Sequence, residues 1–406
     1  MNYFYCEIKR LYDIGEIFPY PLQEMSKIYK AYGNSKYYLV FMNDFVEEHL
    51  DILNRMYNKE KAINNRITLN SFSRKIINNI RQYKSSSIPF NEEVIKTILD
   101  EIYLLEIKEY SIFYEVYGIS LINKEKIFCV SKFNIYYWPI TKKIIEDKYE
   151  DSKRFFGYKN HDYLIETTIE TATEERAIEL AATQFEKWQY CMHVLLGHKH
   201  RKYHISINHE KPVYTRQTFV TSKDGIFSNT SSENDTETIN VDDLYFTNNE
   251  KYNAIWKLLS LKKPNDFEKR ILLAIEWLGQ AYQENSTQNS FIKAAISLEI
   301  IFTYHEKAII TPSILYQISE SIAMILGENV NTCLKIEKEF KKLYEIRSSI
   351  VHAGNNEIEY SYLNDILNYS RNIILELLTN KKYSNIKSID ELYKLLKIKK
   401  YSSGNL

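Results

Sequence analysis

The chain has 406 residues, and its 53 lysines and arginines balance 53 aspartates and glutamates, so the formal net charge is zero. This balance argues against a globally basic nucleic-acid-binding protein and against an acidic disordered tail. Hydrophobic residues make up 44% and charged residues 26% of the chain, as in an ordinary globular protein of two or three domains. Only 10 glycines and 7 prolines occur, which leaves room for long helices.

The cysteines and the N-terminus give no sign of an exported or membrane-bound protein. Cys6, Cys129, Cys191 and Cys333 stand far apart without a C-x-x-C pair, which argues against a zinc ribbon and against a disulfide framework. The first residues lack a basic start followed by an apolar core, and no apolar run has the length of a membrane span. The sequence therefore predicts a cytoplasmic protein without a membrane segment. No glycine-rich phosphate loop occurs, and no cofactor is predicted.

Residues 1–222 are predicted to form a mixed α/β module. The first part carries mainly helical patterns, with helices expected over 38–57 and 94–107 and with Asn91 as a cap of the second. Residues 109–139 hold two aromatic and β-branched runs around a polar turn, which predicts a β-hairpin.

The second part of this module is predicted to place a helix between strands. The residue patterns predict a strand over 162–171 and an amphipathic helix over 173–196. Short strands are expected over 203–208 and 213–221, where they complete a small mixed sheet.

The rest of the chain has a different character. Residues 223–250 are rich in Ser, Thr, Asn and Asp, which predicts an acidic, loosely ordered linker rather than an acidic binding loop. Five helical patterns with short connections predict an all-α bundle over 251–380, and a basic helix and tail are predicted over 381–406, opened by Ser388 as a cap. The predicted fold class is therefore α+β, a mixed module followed by a helical bundle.

One arginine stands on an apolar stripe of the fourth predicted bundle helix. On a 3.6-residue wheel, Phe340, Leu343 and Ile350 share a narrow stripe, and Arg347 occupies the position between the last two. A buried guanidinium needs a partner, so Arg347 must meet an acid, line a wet cleft or lie at a subunit interface. A side chain that only snorkels to solvent or joins a buried ion pair is the alternative to a functional role.

Glu299 is the expected partner of Arg347. It is the only charge between Lys293 and Glu306 on the second predicted bundle helix, which is apolar almost all round. A lone carboxylate in such surroundings needs compensation. The pair is expected either to stabilise the bundle or to order a functional site.

His352 follows Arg347 by five residues, at the end of the same predicted helix. Gly354, Asn355 and Asn356 come next and form a strong helix stop. Five residues advance an α-helix by about 140°, so an unbroken helix points Arg347 and His352 to different faces. If both residues serve one site, the helix has to end or distort there.

The spacing of Arg347 and His352, within YEIRSSIVHAG, resembles the R-x4-6-H motif of HEPN domains. Together with SLEIIF around Glu299, it resembles the Apea-like HEPN family of bacterial antiphage defence proteins, over residues 267–380. The strand, helix and strand from DYLIETTIE to YHISINHEKPVY are similar, less specifically, to N-terminal regions of this family. One departure is Ser348, because many HEPN nucleases have Asn, Asp or His after the motif arginine; a hydroxyl still forms hydrogen bonds.

The resemblance implies a metal-independent endoribonuclease. The 2′-hydroxyl of RNA is expected to attack the adjacent phosphorus, which yields a 2′,3′-cyclic phosphate and a 5′-hydroxyl. His352 is expected to transfer protons, because histidine exchanges them near neutral pH, and Arg347 to clamp phosphate oxygens. Glu299, Ser348 and Asn355 are expected to support this pair, and no metal site is predicted.

The resemblance also implies partners. One arginine and one histidine make a thin active site for two proton transfers, and HEPN domains usually pair across a two-fold axis, so a homodimer through the bundle is expected. An active ribonuclease must be restrained in healthy cells. The N-terminal module is therefore predicted to sense a trigger such as a phage protein, and the function to be antiphage defence by abortive infection.

Two other functions stay open at this point. In the first, the chain is a non-catalytic HEPN module that binds protein or RNA, and Arg347 and Glu299 form a buried pair only. In the second, it is a toxin that a separate antitoxin silences.

A basic C-terminal segment is the candidate RNA-binding surface. Residues 381–400 carry seven lysines against Asp390 and Glu391, and tyrosines interleaved with them are candidates for stacking on bases. Four of these lysines, Lys394, Lys397, Lys399 and Lys400, are the candidate RNA-binding residues, and the tyrosines are Tyr383, Tyr393 and Tyr401.

A cluster of histidines is the competing candidate for a metal site. His193 and Cys191 precede four further histidines within GHKHRKYHISINHE, namely His198, His200, His204 and His209. The spacing matches no known zinc pattern and lacks the acid of H-E-x-x-H. A basic turn that leads into a strand is therefore preferred to a metal site.

Overall fold

A computed structural model describes residues 2–19, 29–33, 36–86, 90–149, 162–197, 205–207, 214–222, 225–233, 237–303, 314–353 and 358–402. Its contacts fall into two compact units. The first unit comprises residues 1–112 and 168–183, and the second comprises residues 113–167 and 184–406. The protein is a mixed α+β protein whose C-terminal part is helical.

Helices and a small sheet make up the first unit. Its elements are α1 (Asn2–Ile14), β1 (Glu16–Pro19), β2 (Tyr29–Gly33), β3 (Tyr37–Met42), α2 (Phe45–Lys59), α3 (Lys61–Asn64), α4 (Leu69–Ser86) and α5 (Glu92–Tyr103). The three strands pair antiparallel in the order β1-β3-β2. Ile8, Phe41 and Phe72 lie at the centre of its apolar core and have no exposed surface.

The helix predicted over 38–57 was wrong in its first part. Tyr37–Met42 form the central strand of the sheet, and helix begins only at Phe45. Leu39, Val40 and Phe41 are all buried, and a short continuous apolar run does not distinguish a buried strand from a helix. The predicted cap of α5 is confirmed, because the Asn91 side chain accepts a hydrogen bond from the Val94 amide at 3.1 Å.

A five-stranded sheet follows along the chain. It contains β4 (Lys108–Tyr117), β6 (Phe128–Val130), β7 (Phe133–Tyr137), β8 (Tyr163–Thr171) and β9 (Ser206–Ile207), in the order β6-β7-β8-β4-β9. The elements between them are β5 (Ile119–Ser120), α6 (Trp138–Lys148) and α7 (Glu174–Leu196). The hairpin predicted over 109–139 was wrong, because β8 lies between β4 and β7. Hairpin signals are local, whereas this insertion comes from a strand that follows later in the sequence.

The segment predicted as an acidic linker contains regular structure. β10 (Tyr214–Ser222) and β11 (Gly225–Glu233) pair antiparallel, and β12 (Ile239–Asn240) pairs in parallel with β5. The helices α8 (Leu244–Thr247) and α9 (Glu250–Leu259) follow. Asp242 accepts hydrogen bonds from the amides of Ile122 and Asn123 at 2.7 and 2.9 Å. The acidic composition therefore supplies acceptors for backbone N–H groups, a use that composition alone does not reveal.

The five predicted bundle helices are present. They are α10 (Asp266–Gln283), α11 (Thr287–Phe302), α12 (Ile314–Leu326), α13 (Val330–Ala353) and α14 (Tyr360–Thr379), and α15 (Ile389–Tyr401) follows them. A capping box formed by Asn265 and Glu268 opens α10. The predicted cap Ser388 is confirmed at α15, where it accepts from the Glu391 amide at 3.4 Å.

Small residues let the bundle helices approach closely. Buried serine hydroxyls donate to carbonyl groups of neighbouring helices, from Ser297 to Ala274 at 2.9 Å and from Ser370 to Ala294 at 3.1 Å. These bonds satisfy polar groups that would otherwise be buried without a partner.

The last part of α7 belongs to the second unit, together with the bundle. Lys187 forms an ion pair with Glu276 of α10 at 3.0 Å, and the Trp188 ring stacks on Trp256 of α9 with centroids 6.3 Å apart. The Arg371 guanidinium of α14 donates to the carbonyl groups of Val194 and Leu195 at 2.8 and 2.9 Å. A long helix that begins at Glu174 is therefore tied to the bundle at its C-terminal end.

Among the described residues, no helix is both long and apolar enough to cross a bilayer.

Candidate functional site

The site at Arg347 is built on two helices of the bundle. On α13, Phe340 and Leu343 are buried, and Arg347 continues their stripe with 23% of its side chain exposed. Opposite, α11 presents Glu299, whose side chain is 20% exposed. The arginine thus lies at the edge of the core, where a charge keeps some access to solvent.

Arg347 and Glu299 form the predicted ion pair. The Nε atom of Arg347 lies 3.1 Å from Oε1 of Glu299, and its Nη2 donates to Oε2 at 3.4 Å. The Nε–H group is not aligned for a hydrogen bond, so this contact is electrostatic. Within the described part of the chain, Nη1 has no hydrogen-bond partner. One edge of the guanidinium therefore faces a carboxylate while the other edge keeps unused donors.

Tyr344 is a third member of this site that the sequence analysis missed. Its hydroxyl donates to Oε1 of Glu299 at 2.8 Å, and its ring lies 5.7 Å from Cζ of Arg347. Burial, together with the hydrogen bond to Glu299, raises the pKa of the Tyr344 hydroxyl above its ordinary value. The available signal was its position one helical turn before Arg347, because residues three apart share a helix face.

His352 lies on another face of α13. The helix is continuous through Ala353, so the predicted distortion does not fall between Arg347 and His352. Five residues correspond to a rotation of about 140°, which turns the two side chains apart. Ser348 and His352 are both exposed and lie one turn apart on the outer face. Asn355 lies outside the described residues.

A single chain thus brings together Arg347, Glu299 and Tyr344, but not Arg347 and His352. Other exposed residues extend the outer face that carries His352, among them the apolar Val330 and Leu334, exposed to 71% and 60%. An exposed helix face with apolar side chains and a titratable histidine is suited to contact another surface.

The C-terminal lysines divide into two groups. Nζ of Lys399 donates to the carbonyl groups of Met324 and Gly327 at the end of α12, and Lys400 forms an ion pair with Glu320 at 2.6 Å. Lys394 and Lys397 are exposed and have no charged partner among the described residues. The candidate RNA surface therefore rests chiefly on these two lysines, with Lys400 able to exchange its partner.

The tyrosines of this segment also differ from one another. Tyr383 is 4% exposed, so the prediction that it stacks on a base was wrong: its ring completes the core instead. Tyr401 is 73% exposed, and Tyr393 holds the carbonyl group of Phe302 through its hydroxyl at 2.7 Å. Composition shows that tyrosines are present but not which of them packs inward.

The histidine-rich segment lies mainly outside the described residues, which exclude His198, His200, His204 and His209. Nε2 of His193, which is buried, lies 3.2 Å from the carbonyl oxygen of Ile205. Burial raises the pKa of the Cys191 thiol to about 12, which keeps it protonated. In the described ranges, no group of three or more His, Cys, Asp or Glu side chains is arranged to hold a metal ion.

The sheet contains a buried carboxylate that the sequence analysis did not identify. Glu166 on β8 is 1% exposed and accepts hydrogen bonds from Asn134 at 2.9 Å, from Tyr149 at 3.3 Å and from Tyr136. Lys148 adds a positive charge 3.7 Å away. These partners compensate the charge, which is the pattern of a structural network.

An aromatic cavity of about 170 Å³ is a second site without a sequence signal. It lies between the edge strand β6, the last part of α7, and α9. Trp188, Met192 and Trp256 line it together with Phe128 and Phe246. Its residues come from three distant parts of the chain, 128–130, 188–192 and 241–256, which explains why no local pattern predicted it.

Comparison of this chain with protein-family models, with curated proteins and with solved structures finds no match. The function is therefore inferred from the residues and their geometry, and the cluster of Arg347, Glu299 and Tyr344, with His352 beyond it on the same helix, is the best candidate functional site.

Proposed function

We propose that this protein is a metal-independent HEPN endoribonuclease that acts in antiphage defence by abortive infection. The observation that carries the proposal is Arg347, a cation on an apolar stripe that keeps unused donors beside its ion pair with Glu299. Further support comes from His352, exposed in the last turn of the same helix, and from the five helices over 266–379, which we assign to a HEPN bundle.

The chemistry assigns different roles to the two residues. His352, which is exposed, removes the proton of the 2′-hydroxyl or donates one to the leaving 5′-oxygen, a role that histidine commonly has in general acid–base catalysis. Arg347 stabilises the negative charge that develops on the phosphorane, through a planar fork that matches two phosphate oxygens. Glu299 holds this fork in position through its inner edge, and the Tyr344 hydroxyl in turn holds Glu299.

A second copy of the chain completes the proposed site. Arg347 and His352 point about 140° apart on an unbroken helix, so one chain does not direct both at the same phosphate. In a homodimer in which α13 of one copy lies beside α13 of the other at the two-fold axis, His352 of one copy meets Arg347 of its partner. The exposed apolar side chains Val330 and Leu334 supply part of this interface.

We further propose that the N-terminal residues restrain the nuclease and sense a phage protein. The support is the end of α7, which the Lys187–Glu276 ion pair, the Trp188–Trp256 stack and Arg371 tie to the bundle. Removing residues 1–222 is a poor test, because it also removes these contacts.

The ion pair provides a cleaner test of the restraint. Lys187→Glu and Glu276→Lys should each raise toxicity in cells without phage, because like charges push α7 from α10. The variant with both exchanges should restore wild-type growth. If both single variants grow like wild type, the restraint through α7 is wrong.

The nuclease proposal is tested by expressing wild-type protein beside His352→Ala and examining total RNA. We expect the wild type to leave RNA fragments with 2′,3′-cyclic phosphate ends, and His352→Ala to lower their formation at least about 100-fold. The matched control is Glu345→Ala, an exposed residue of the same helix. Equal cleavage by wild type and His352→Ala would contradict the proposal.

Co-expression of two inactive variants tests the shared site. A mixed dimer of Arg347→Ala and His352→Ala chains retains one site that has both residues intact, one from each copy. Cleavage should therefore return in the mixture although each variant alone is inactive. A mixture that forms dimers but stays inactive rules out a site shared in this way.

The second candidate function is a non-catalytic HEPN module that binds protein or RNA. It is favoured by the same ion pair, because Glu299, Tyr344 and Arg347 compensate one another without any ligand. In that case Arg347→Ala only destabilises the protein, and His352→Ala changes nothing.

A further inference from the structure

A cleft between α12 and α15 combines exposed aromatic rings with lysines. Its volume is about 330 Å³. The residues used in the argument are Tyr316 and Glu320 on α12, and Tyr393, Lys397, Lys400 and Tyr401 on α15. We refer to it as the α12–α15 cleft.

Two tyrosines present their rings at this cleft. Tyr401 is 73% exposed and Tyr316 is 42% exposed. A third, Tyr393, is fixed in the wall through its hydrogen bond to the carbonyl group of Phe302 at 2.7 Å. Exposed aromatic rings along a cleft are suited to stack on the flat faces of bases, since every base has a π-face.

The charges around the rings favour an anion. Among the described residues, Lys397 is exposed without a charged partner, and Lys400 pairs with Glu320 alone, at 2.6 Å. Nζ of Lys341 lies 5.6 Å from the centroid of the Tyr316 ring while it pairs with Glu337 at 2.6 Å. With three lysines against two glutamates, the rim carries a net positive charge, and a phosphate is able to replace Glu320 as the partner of Lys400.

We propose that the α12–α15 cleft binds single-stranded RNA, with bases stacked on Tyr316 and Tyr401 and phosphates on Lys397 and Lys400. The inference rests on the proposed function in one respect, that RNA is the substrate, and it adds a binding surface separate from Arg347 and His352. Lys394, one turn before Lys397 on α15, extends the positive surface beyond the cleft, which favours a strand over a single nucleotide.

The test measures binding without cleavage. Full-length His352→Ala protein is titrated against a short fluorescein-labelled oligouridylate, and binding is followed by fluorescence anisotropy. Adding Tyr316→Ala and Tyr401→Ala should weaken binding about tenfold or more, because two stacking platforms are lost. Adding Lys397→Ala and Lys400→Ala should lower the slope of log affinity against log salt by about 1–2.

Matched controls exclude a general effect of exposed residues. Tyr245 is 64% exposed and Lys263 is exposed, and both lie on other parts of the chain. Tyr245→Ala and Lys263→Ala should leave the affinity and the salt slope unchanged. Tyr401→Ala alone is the variant least expected to misfold, because this ring lies at the end of α15. A loss of affinity in this variant is therefore a loss of contact with RNA.

Two results would contradict the proposal that the α12–α15 cleft binds RNA. One is an affinity that neither double variant changes, and the other is an excess of uridine monophosphate that displaces the oligomer as well as unlabelled oligomer does. Failure of the cleft is distinguishable from failure of the nuclease. If cleavage depends on His352 while the cleft variants bind RNA normally, only the proposed binding cleft is wrong. If the cleft variants lose RNA binding but the wild type cuts no RNA, only the proposed nuclease activity is wrong.

Discussion

Arg347 and Arg371 lie on consecutive helices of the bundle, and their partners differ in kind. The Arg371 guanidinium donates to the carbonyl groups of Val194 and Leu195, which lie in the last turn of α7. Such carbonyls lack partners within their own helix, and a positive charge there is favourable to the helix dipole. Arg347 instead faces the carboxylate of Glu299 and keeps unused donors.

The difference separates a structural cation from a candidate catalytic one. Main-chain carbonyls at a helix end need donors from outside the helix, so Arg371 serves as a structural C-cap of α7. The ion pair of Arg347 leaves part of the guanidinium fork unused, and these donors are able to bind phosphate oxygens while Glu299 holds the other edge. A buried or half-buried arginine therefore indicates a catalytic or binding role only when its partner leaves some of the guanidinium donors available.

Replacing each arginine in turn should show the largest difference between the two. Arg347→Ala should lower RNA cleavage at least about 100-fold, because charge stabilisation of the transition state is lost. Arg371→Ala should keep at least wild-type cleavage but lower the free energy of unfolding by about 1–3 kcal/mol, because two carbonyls lose their donors. Cleavage in cells and urea unfolding of the purified proteins give the two readouts. Equal loss of cleavage in both variants would mean that Arg347 is structural as well.

A substitution at Gly197, which follows α7, tests the contact between Arg371 and the end of this helix. Its φ is +66°, and a Cβ atom there would lie 2.6 Å from Nε of Arg371. Gly197→Ala should therefore lower the free energy of unfolding by about 1–3 kcal/mol through backbone strain and displacement of the arginine. In the Arg371→Ala background the loss should be smaller, because the displaced group is absent; equal losses would contradict the cap.

The helices and the charged pair were predictable because their signals are local. Apolar residues at three and four spacing indicated α10 to α14, and the short polar side chains of Asn91 and Ser388 marked helix starts. Arg347 and Glu299 were each the exception in an apolar pattern, and two opposite charges in such surroundings have to meet.

The sheet order and the rest of the site depend on contacts that no local pattern records. β8 enters the sheet between β4 and β7, and the arginine cap joins residues 177 positions apart. Tyr344 escaped notice because tyrosine is common in this chain, with 34 copies, and only the structure shows which hydroxyl reaches Glu299. The pairing of His352 with a second copy stays a prediction.

The smallest effects should separate two ion pairs that join helices, Arg347–Glu299 and Lys400–Glu320. Glu299→Gln leaves Arg347 half-buried without its counter-charge, so the free energy of unfolding should fall by about 1–2 kcal/mol. Glu320→Gln should lower it by no more than about 0.5–1 kcal/mol, because 40% of the Lys400 side chain is exposed and solvent screens the pair. Urea unfolding at low and high salt compares the two, and only the Glu320 effect should vanish at high salt. A larger loss at Glu320 would place the structural pair at the C-terminal helix and leave Glu299 as a partner that Arg347 exchanges at little cost.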